Sequence, residues 1–367
     1  MTSYVPLARR SLIAGALATA GLALAPRAHA TGRAPFGRYG SPSKRLTAQT
    51  LYVDPLGRGD HTTVQAAVDA ASGTGSVLVL APAVYRETVS VPEARTGLTL
   101  IGASEDPRAT VIVYDNAAGT PKPDGSGTYG TSGSATTTVR AADFTAHRIT
   151  FANDWLRADH PEITGTQAVA IKVMGDRSAF HHCRFLGHQD TLYSDTLSLP
   201  VFARHYFSHC YAEGDVDFVF GRATSVFEHC RFHGLDRDVD FTPKGMFFAP
   251  STARANPHGY LAVRCRFTSG AQYAAYKLAR PWVPSSDPTA RPSLVVRDSV
   301  IGPGTDATAP YTNMASGHPW QDQRFAEYAN TGPGARVTVP ENRPQLTREQ
   351  AGSHTRAAYL GDWRPHL

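Results

Sequence analysis

The 367-residue chain lacks most of the features that announce a function. There is no G-x-S-x-G elbow, which disfavours a Ser-His-Asp esterase. There is no G-x-G-x-x-G and no Walker loop, so nothing marks a nucleotide site. No basic run suits nucleic acid. Beyond residue 30, no apolar run is long enough to cross a bilayer. Several of the 15 histidines (His181, His182, His209, His229) flank cysteines. Adjacent strand residues point to opposite faces, however, so these imidazoles do not converge on a metal. Asp236-Arg-Asp238-Val-Asp240 lacks an EF-hand pattern and reads as a solvated turn. No metal and no cofactor is expected.

What is present begins with a leader. Arg9-Arg10 precedes an apolar stretch from Leu12 to Ala25, and Ala28-His29-Ala30 offers an A-x-A cleavage site. Residues 1–30 therefore read as an export signal. The paired arginines suggest the twin-arginine route, although a general secretory signal also begins with basic residues. The expectation is a secreted protein, free of the membrane once the signal is removed. The +5 formal charge is misleading, because Arg9, Arg10 and Arg27 belong to the leader. Without them 33 basic residues face 31 acidic ones. Residues 31–49, rich in Gly, Pro, Ser and basic side chains, read as a flexible lead-in. Residues 50–367 form one domain, with order beginning near Leu51-Tyr52-Val53.

Hydrophobic residues at 41% allow a substantial core, while 32 glycines and 26 prolines favour short strands and many turns. His61 to Ala71 carries apolar residues at helical spacing and ends at Ser72-Gly73. A repeat follows. Anchored on the cysteine position it runs through His147, Cys183, Cys210, Cys230, Cys265 and Asp298, with an apolar residue two places later in nearly every copy. A constant core with variable spacing suits a solenoid whose loops differ in length. Period-2 strands without long helices predict an all-β fold, a right-handed single-stranded parallel β-helix. The helix would cap one open end and the C-terminal tail would pack on the solenoid. Four cysteines in an exported chain raise the disulfide question. Rungs about 4.8 Å apart meet the Cα requirement, and Cys210 with Cys230 is the best candidate pair. A ladder of buried thiols is the alternative.

Two copies carry a carboxylate just past the same glycine. Phe180-His-His-Cys183-Arg-Phe185-Leu-Gly187 leads to Asp190, and Phe207-Ser-His-Cys210-Tyr-Ala-Glu-Gly214 leads to Asp217. Successive coils can hold such carboxylates side by side, and paired carboxylates in unlike environments divide acid, base and nucleophile roles. The bland reading of an aspartate in a β-helix is a turn cap, and of a glutamine a polar ladder.

Gln167-Ala-Val-Ala170, Gln189-Asp190-Thr-Leu192, Asp217-Phe-Val-Phe-Gly221 and Leu278-Ala-Arg280-Pro-Trp282 occur in that order. With Ala83-Val-Tyr-Arg-Glu87, Gly130-Thr-Ser-Gly-Ser-Ala-Thr136 and Phe325 to Gly334 they make the chain resemble the pectinesterases, from about Leu51 to Trp363. Arg280 to Ser285 and Asn313 to Gly317 look more like the bacterial secreted members, and no plant-type pro-region precedes the domain. The resemblance implies removal of methyl esters from the galacturonate units of pectin by a monomer. It implies Asp217 as nucleophile, Asp190 as general acid and base, Gln167 and Gln189 as oxyanion donors, and Arg280 as the partner of Asp217. It also implies Thr131, Tyr193, Phe220, Trp282, Ser285 and Met314 as cleft residues. The family usually has Gly at Ala83 and Ala279, where an added methyl can alter the local backbone. The rival readings are a pectin lyase or glycosidase on the same scaffold, a non-catalytic polysaccharide-binding β-helix, and a relative acting on other esters such as acyl thioesters.

Overall fold

The structure, a computed structural model, describes residues 49–365. The export signal and all of the lead-in but Gln49 lie outside the described residues. From Gln49 onward the chain coils as a right-handed parallel β-helix built of three sheets, of ten, eight and seven strands. One coil shows the pattern. Ser178–His181 lies in the first sheet, Arg184–Leu186 in the second and Leu192–Ser194 in the third, before Arg204–Ser208 re-enters the first. The strands are short because each coil must turn three corners. No helix among the described residues is long and apolar enough to cross a membrane.

Side chains at equivalent positions stack from rung to rung inside the solenoid. Phe180, Phe207 and Phe227 form one column, with centroids 5.0 and 4.7 Å apart. Phe151 and Phe185 stack at 6.0 Å, and Phe232 and Phe267 at 5.2 Å. Each fully buried ring contributes roughly 1.5–3 kcal/mol. Helix Val64–Ala70 seals the N-terminal end as expected, burying Val64, Ala67 and Val68. Thr63 caps it, and both Glu87 carboxylate oxygens accept from the backbone amides of Val64 and Gln65. The tail divides its work. Its first part crosses the last strand of the first sheet, where the amide of Leu346 donates to Glu327 and Arg343 pairs with the Glu327 carboxylate at 2.9 Å, both side chains buried. Its last helix, Arg356–Leu360, instead packs Tyr359 and Leu360 on the outer face of the first sheet, against Tyr206, Val226 and Leu261.

Two expectations need correction. The first concerns register. Cys183, Cys210, Cys230 and Cys265 do share one rung position, but its outer members are Ile149 and Ser299, not His147 and Asp298. The outermost coils carry no cysteine, and nothing in a loop of variable length marks the shift. The second concerns the disulfide. Cys210 and Cys230 are separate thiols, as are Cys183 and Cys265. The Cys210 thiol donates to the carbonyls of Phe180 and Ser208, and the Cys230 thiol to those of Phe207 and Glu228. Side chains stacked in parallel keep their Cβ atoms near the rung spacing of about 4.8 Å, outside the roughly 3.5–4.5 Å that a disulfide needs. Ala83 and Ala279 both sit in strands with ordinary negative φ, so the missing glycines cost nothing there.

Thiol titration of the unfolded protein without reductant is expected to find all four cysteines reactive. A count of two would restore the bridge.

Candidate active site

Gly187 directly follows one second-sheet strand and Gly214 ends the next, and the chain then turns the corner toward the third sheet. A Cβ on Gly214 would stand 2.3 Å from the Cβ of Phe218 and 2.5 Å from the carbonyl oxygen of His188, so only glycine fits. Three residues past each glycine an aspartate adopts a left-handed backbone, φ +66° at Asp190 and +51° at Asp217. Aspartate tolerates that region better than most residues. The strands that follow pair Leu192 with Val219. Asp190 and Asp217 each lie two residues earlier, so they occupy the same place on adjacent rungs, about 4.8 Å apart along the axis.

Their surroundings differ. Nε of Arg280 donates to both carboxylate oxygens of Asp217, at 2.9 and 3.1 Å, and Nη2 donates to Oδ2 at 2.6 Å. Burial pushes the Asp217 carboxyl up, and Arg280 pulls against it. No ion pair to Asp190 occurs among the described residues, and Arg280 lowers it less than its other neighbours raise it. Burial first, then the charge of Asp217, raises it well above the usual carboxylate range. The Asp217 carboxyl is raised on balance too, but Arg280 favours its charged form, so Asp190 is the group pushed further toward holding a proton.

Gln189 adjoins Asp190 in the chain, and Gln167 lies one coil below His188. The Thr166 hydroxyl donates to Oε1 of Gln189 at 2.6 Å, which leaves the amide NH2 group to donate elsewhere. Gln167 is half-buried, but one coil here is 21 residues, so Val169 rather than Gln167 lies under Asp190. Tyr193, Phe220, Trp282 and Met314 come together in one cluster with Ala135, Val169 and Ala249. The Tyr193 and Phe220 rings stack at 4.1 Å, and the Phe220 and Trp282 centroids are 5.7 Å apart. Thr131 is half-buried on the short helix Gly130–Gly133, tied to the cluster through the hydrogen bond from Lys172 to Ser132. Ser285 is exposed, and none of its hydrogen bonds among the described residues reaches the cluster.

Three supports escaped the sequence reading. Lys172 lies 4.4 Å from the centre of the Tyr193 ring and pairs with Asp195. Asn153, fully buried, donates to the carbonyls of Asn116, Ser134 and Val169 and holds the coil start beneath the aspartates. Asp215 is buried two residues before Asp217. Burial works against its charge, but hydrogen bonds from His188 and Arg157 outweigh that and hold it ionised. Asp215 was visible as the second acid of Gly214-Asp-Val-Asp217. Arg157 opens a single 3-10 turn, Arg157–Asp159, that lies outside the repeat.

A buried aspartate pair in unlike surroundings, a guanidinium bound to one of the two and an aromatic cluster come together on a parallel β-helix. The Pectinesterase family model matches residues 50–362, and the chain belongs to the pectinesterase family, the carboxylic ester hydrolases that act on pectin. It is 33% identical over 313 residues to a pectinesterase of Ralstonia solanacearum, covering 76% of this chain and 78% of that one. Pectinesterase A of Dickeya dadantii is 34% identical over 340 residues, covering 85% and 89%. Among solved structures, the pectin methylesterase PemA from Erwinia chrysanthemi superposes with a TM-score of 0.76 at 31% identity, covering 88% of this chain and all of that one. A pectin methylesterase in complex with a hexasaccharide superposes with a TM-score of 0.77 at the same identity and coverage.

The raised Asp190 carboxyl has a consequence for stability. Between the unfolded value of 3.8 and its raised folded value, the native state binds the extra proton, so this group's contribution falls as pH rises through that window. Asp190→Asn is expected to melt higher than the parent at pH 7, with the gain shrinking toward pH 3. A gain independent of pH would assign the effect to packing instead.

Proposed function

We propose that the chain removes methyl esters from the galacturonate units of pectin through an acyl-enzyme on Asp217. The observation that supports this most is the Asp217 carboxylate clamped by Arg280 in rung register with a buried Asp190 that has been pushed well above the usual carboxylate range. An Asp217 oxygen attacks the C6 carbonyl carbon, and the carbonyl oxygen becomes an oxyanion that the side-chain amides of Gln167 and Gln189 stabilise. Collapse breaks the bond between C6 and the methoxy oxygen. Asp190 gives its proton to that oxygen, and methanol leaves. Asp190, now a carboxylate, takes a proton from water as its oxygen attacks the acyl carbon. Cleavage of the anhydride frees Asp217 as a carboxylate and leaves a galacturonate carboxyl on the polymer.

Arg280 keeps Asp217 ionised and aims its oxygens. Tyr193, Phe220, Trp282 and Met314 form the wall on which sugar rings stack, with Thr131 and Ser285 at its margins. The same reading has the chain act as a monomer outside the cell, delivered there by residues 1–30.

The test follows methanol release and polymer length together on highly methylated pectin. Methanol without chain shortening or an unsaturated product is expected. Shortening would favour a glycosidase or lyase instead. Asp217→Asn is expected to remove nearly all turnover, and Gln189→Ala to cost about 10²–10³ in rate, both with an unchanged circular dichroism spectrum. An Asp217→Asn protein that keeps its activity would overturn the assignment.

A further inference from the structure

The corner between the first and second sheets carries a feature that catalysis does not use. At this corner each coil places one residue in the left-handed region, with its side chain outward, just before the buried cysteine position. Arg148, His182, His209, His229 and Arg264 occupy it on five successive rungs, with φ between +53° and +55°. The imidazoles stack on one another, His182 on His209 at 5.1 Å and His209 on His229 at 5.0 Å. All three histidines and Arg264 are exposed.

Two residues further on, a second outward column runs beside the first. Arg184, Tyr211, Arg231 and Arg266 are paired in register across four strands of the second sheet. Arg184 and Arg231 flank the Tyr211 ring at 5.2 and 5.8 Å. None of these three guanidiniums pairs with a carboxylate among the described residues. The local sequence is plain once the columns are seen: His182-Cys-Arg-Phe185, His209-Cys-Tyr-Ala212, His229-Cys-Arg-Phe232 and Arg264-Cys-Arg-Phe267.

Acidic groups near the corner are mostly engaged, and Asp106 near Arg184 is held by Arg108. Glu105 stands 3.9 Å from Arg148 and is largely exposed. Glu228 pairs with Arg264 and Arg356 and accepts from the Tyr206 hydroxyl. Asp298, the next residue along the first column, pairs with Arg297, and Glu213 accepts from the Tyr211 hydroxyl. Beneath the first column His147 and His181 stack at 5.0 Å, and the Ser208 hydroxyl lies 2.9 Å from Nδ1 of His209. Burial, with Arg148 and His182 nearby, pushes His147 down to about 4. His182 is held below its ordinary value by burial, then by His209 and Arg148, against the pull of Glu105. Five guanidiniums thus project at this corner, three of them without a carboxylate partner among the described residues, and three imidazoles, the side-chain type that ordinarily gains charge on acidification, stand among them.

We propose that these two columns form a second binding site, separate from the aspartate pair, for a linear polycarboxylate running along the solenoid axis. Cations repeated at the rung spacing of about 4.8 Å over four or five coils suit a polymer with one carboxylate on every unit. A compact anion would meet only two or three of them. The second-sheet strands separate this corner from the aspartates that follow Gly187 and Gly214, so both sites can be filled by one long chain. The occupant is then the de-esterified galacturonan that the reaction leaves behind, and only this identification rests on the proposed function. Such a track would hold the enzyme on its product chain and tighten as the medium acidifies.

The test measures binding of fully de-esterified polygalacturonate to the full chain at pH 5 and pH 8, at fixed ionic strength. The parent protein is expected to bind about tenfold more tightly at pH 5. The triple variant His182→Asn, His209→Asn, His229→Asn keeps the left-handed backbone, which asparagine accepts. It is expected to lose that pH ratio while keeping its melting temperature and its kcat/KM on a short methyl-esterified oligogalacturonide. Arg184→Gln, Arg231→Gln, Arg266→Gln is expected to weaken binding at both pH values. A pH ratio that survives in the histidine variant would place the effect in the cleft and overturn the proposal. Duplex DNA binding as tightly as polygalacturonate would overturn the identity of the occupant. If methylated pectin yields no methanol while the histidine variant still loses the ratio, the catalytic reading fails and the corner site stands.

Discussion

Backbone pairing between successive coils is the constraint on which the rest of this molecule depends. Parallel strands about 4.8 Å apart repeat every side-chain direction from one rung to the next. The phenylalanine columns, the thiol ladder, the aspartate pair and the basic corner are four results of that one translation. A slip of one residue in any coil would turn its inward side chains outward. The loops can vary in length because register is set again at each corner, by the left-handed residue and the buried position after it.

The same translation makes the aspartate pair work. Two carboxylates that repeat on adjacent rungs would repel, and burial makes the repulsion worse. Arg280, contributed two coils further along the third sheet, breaks the symmetry by holding one of them. Equivalent backbone positions thereby acquire unlike electrostatic surroundings. Asp215 adds a third buried acid, but Arg157 pairs with it and His188 stands beside it, and this ties the turn carrying Arg157 to the coil that presents Asp217.

Legibility varied with the kind of signal. The glycine-to-aspartate spacing could be read because a tight turn admits few residue types. The four cysteines could be aligned because a small buried side chain repeats there, yet the pattern ended where Ile149 and Ser299 take the same place. The disulfide expectation used the Cα spacing, which the ladder satisfies, and not the side-chain direction, which it does not. Lys172, Asn153 and Arg157 carried no periodic signal. Each matters through a partner from a distant coil or loop, and such a partner has no fixed sequence offset.

Charge shows the division most plainly. Read along the chain, the basic residues form no run, and the balance beyond residue 30 is almost even. Folding gathers residues 148, 182, 209, 229 and 264 into one column, because pairing converts spacings of 20 to 35 residues into a single rung each. The sequence by itself determined the solenoid, its family and the residues that could carry chemistry, since those follow from local composition and repeated motifs. Which carboxylate keeps a proton, which thiols stay apart and where cations accumulate were decided only by the tertiary structure, because each depends on distances between coils that no stretch of chain contains.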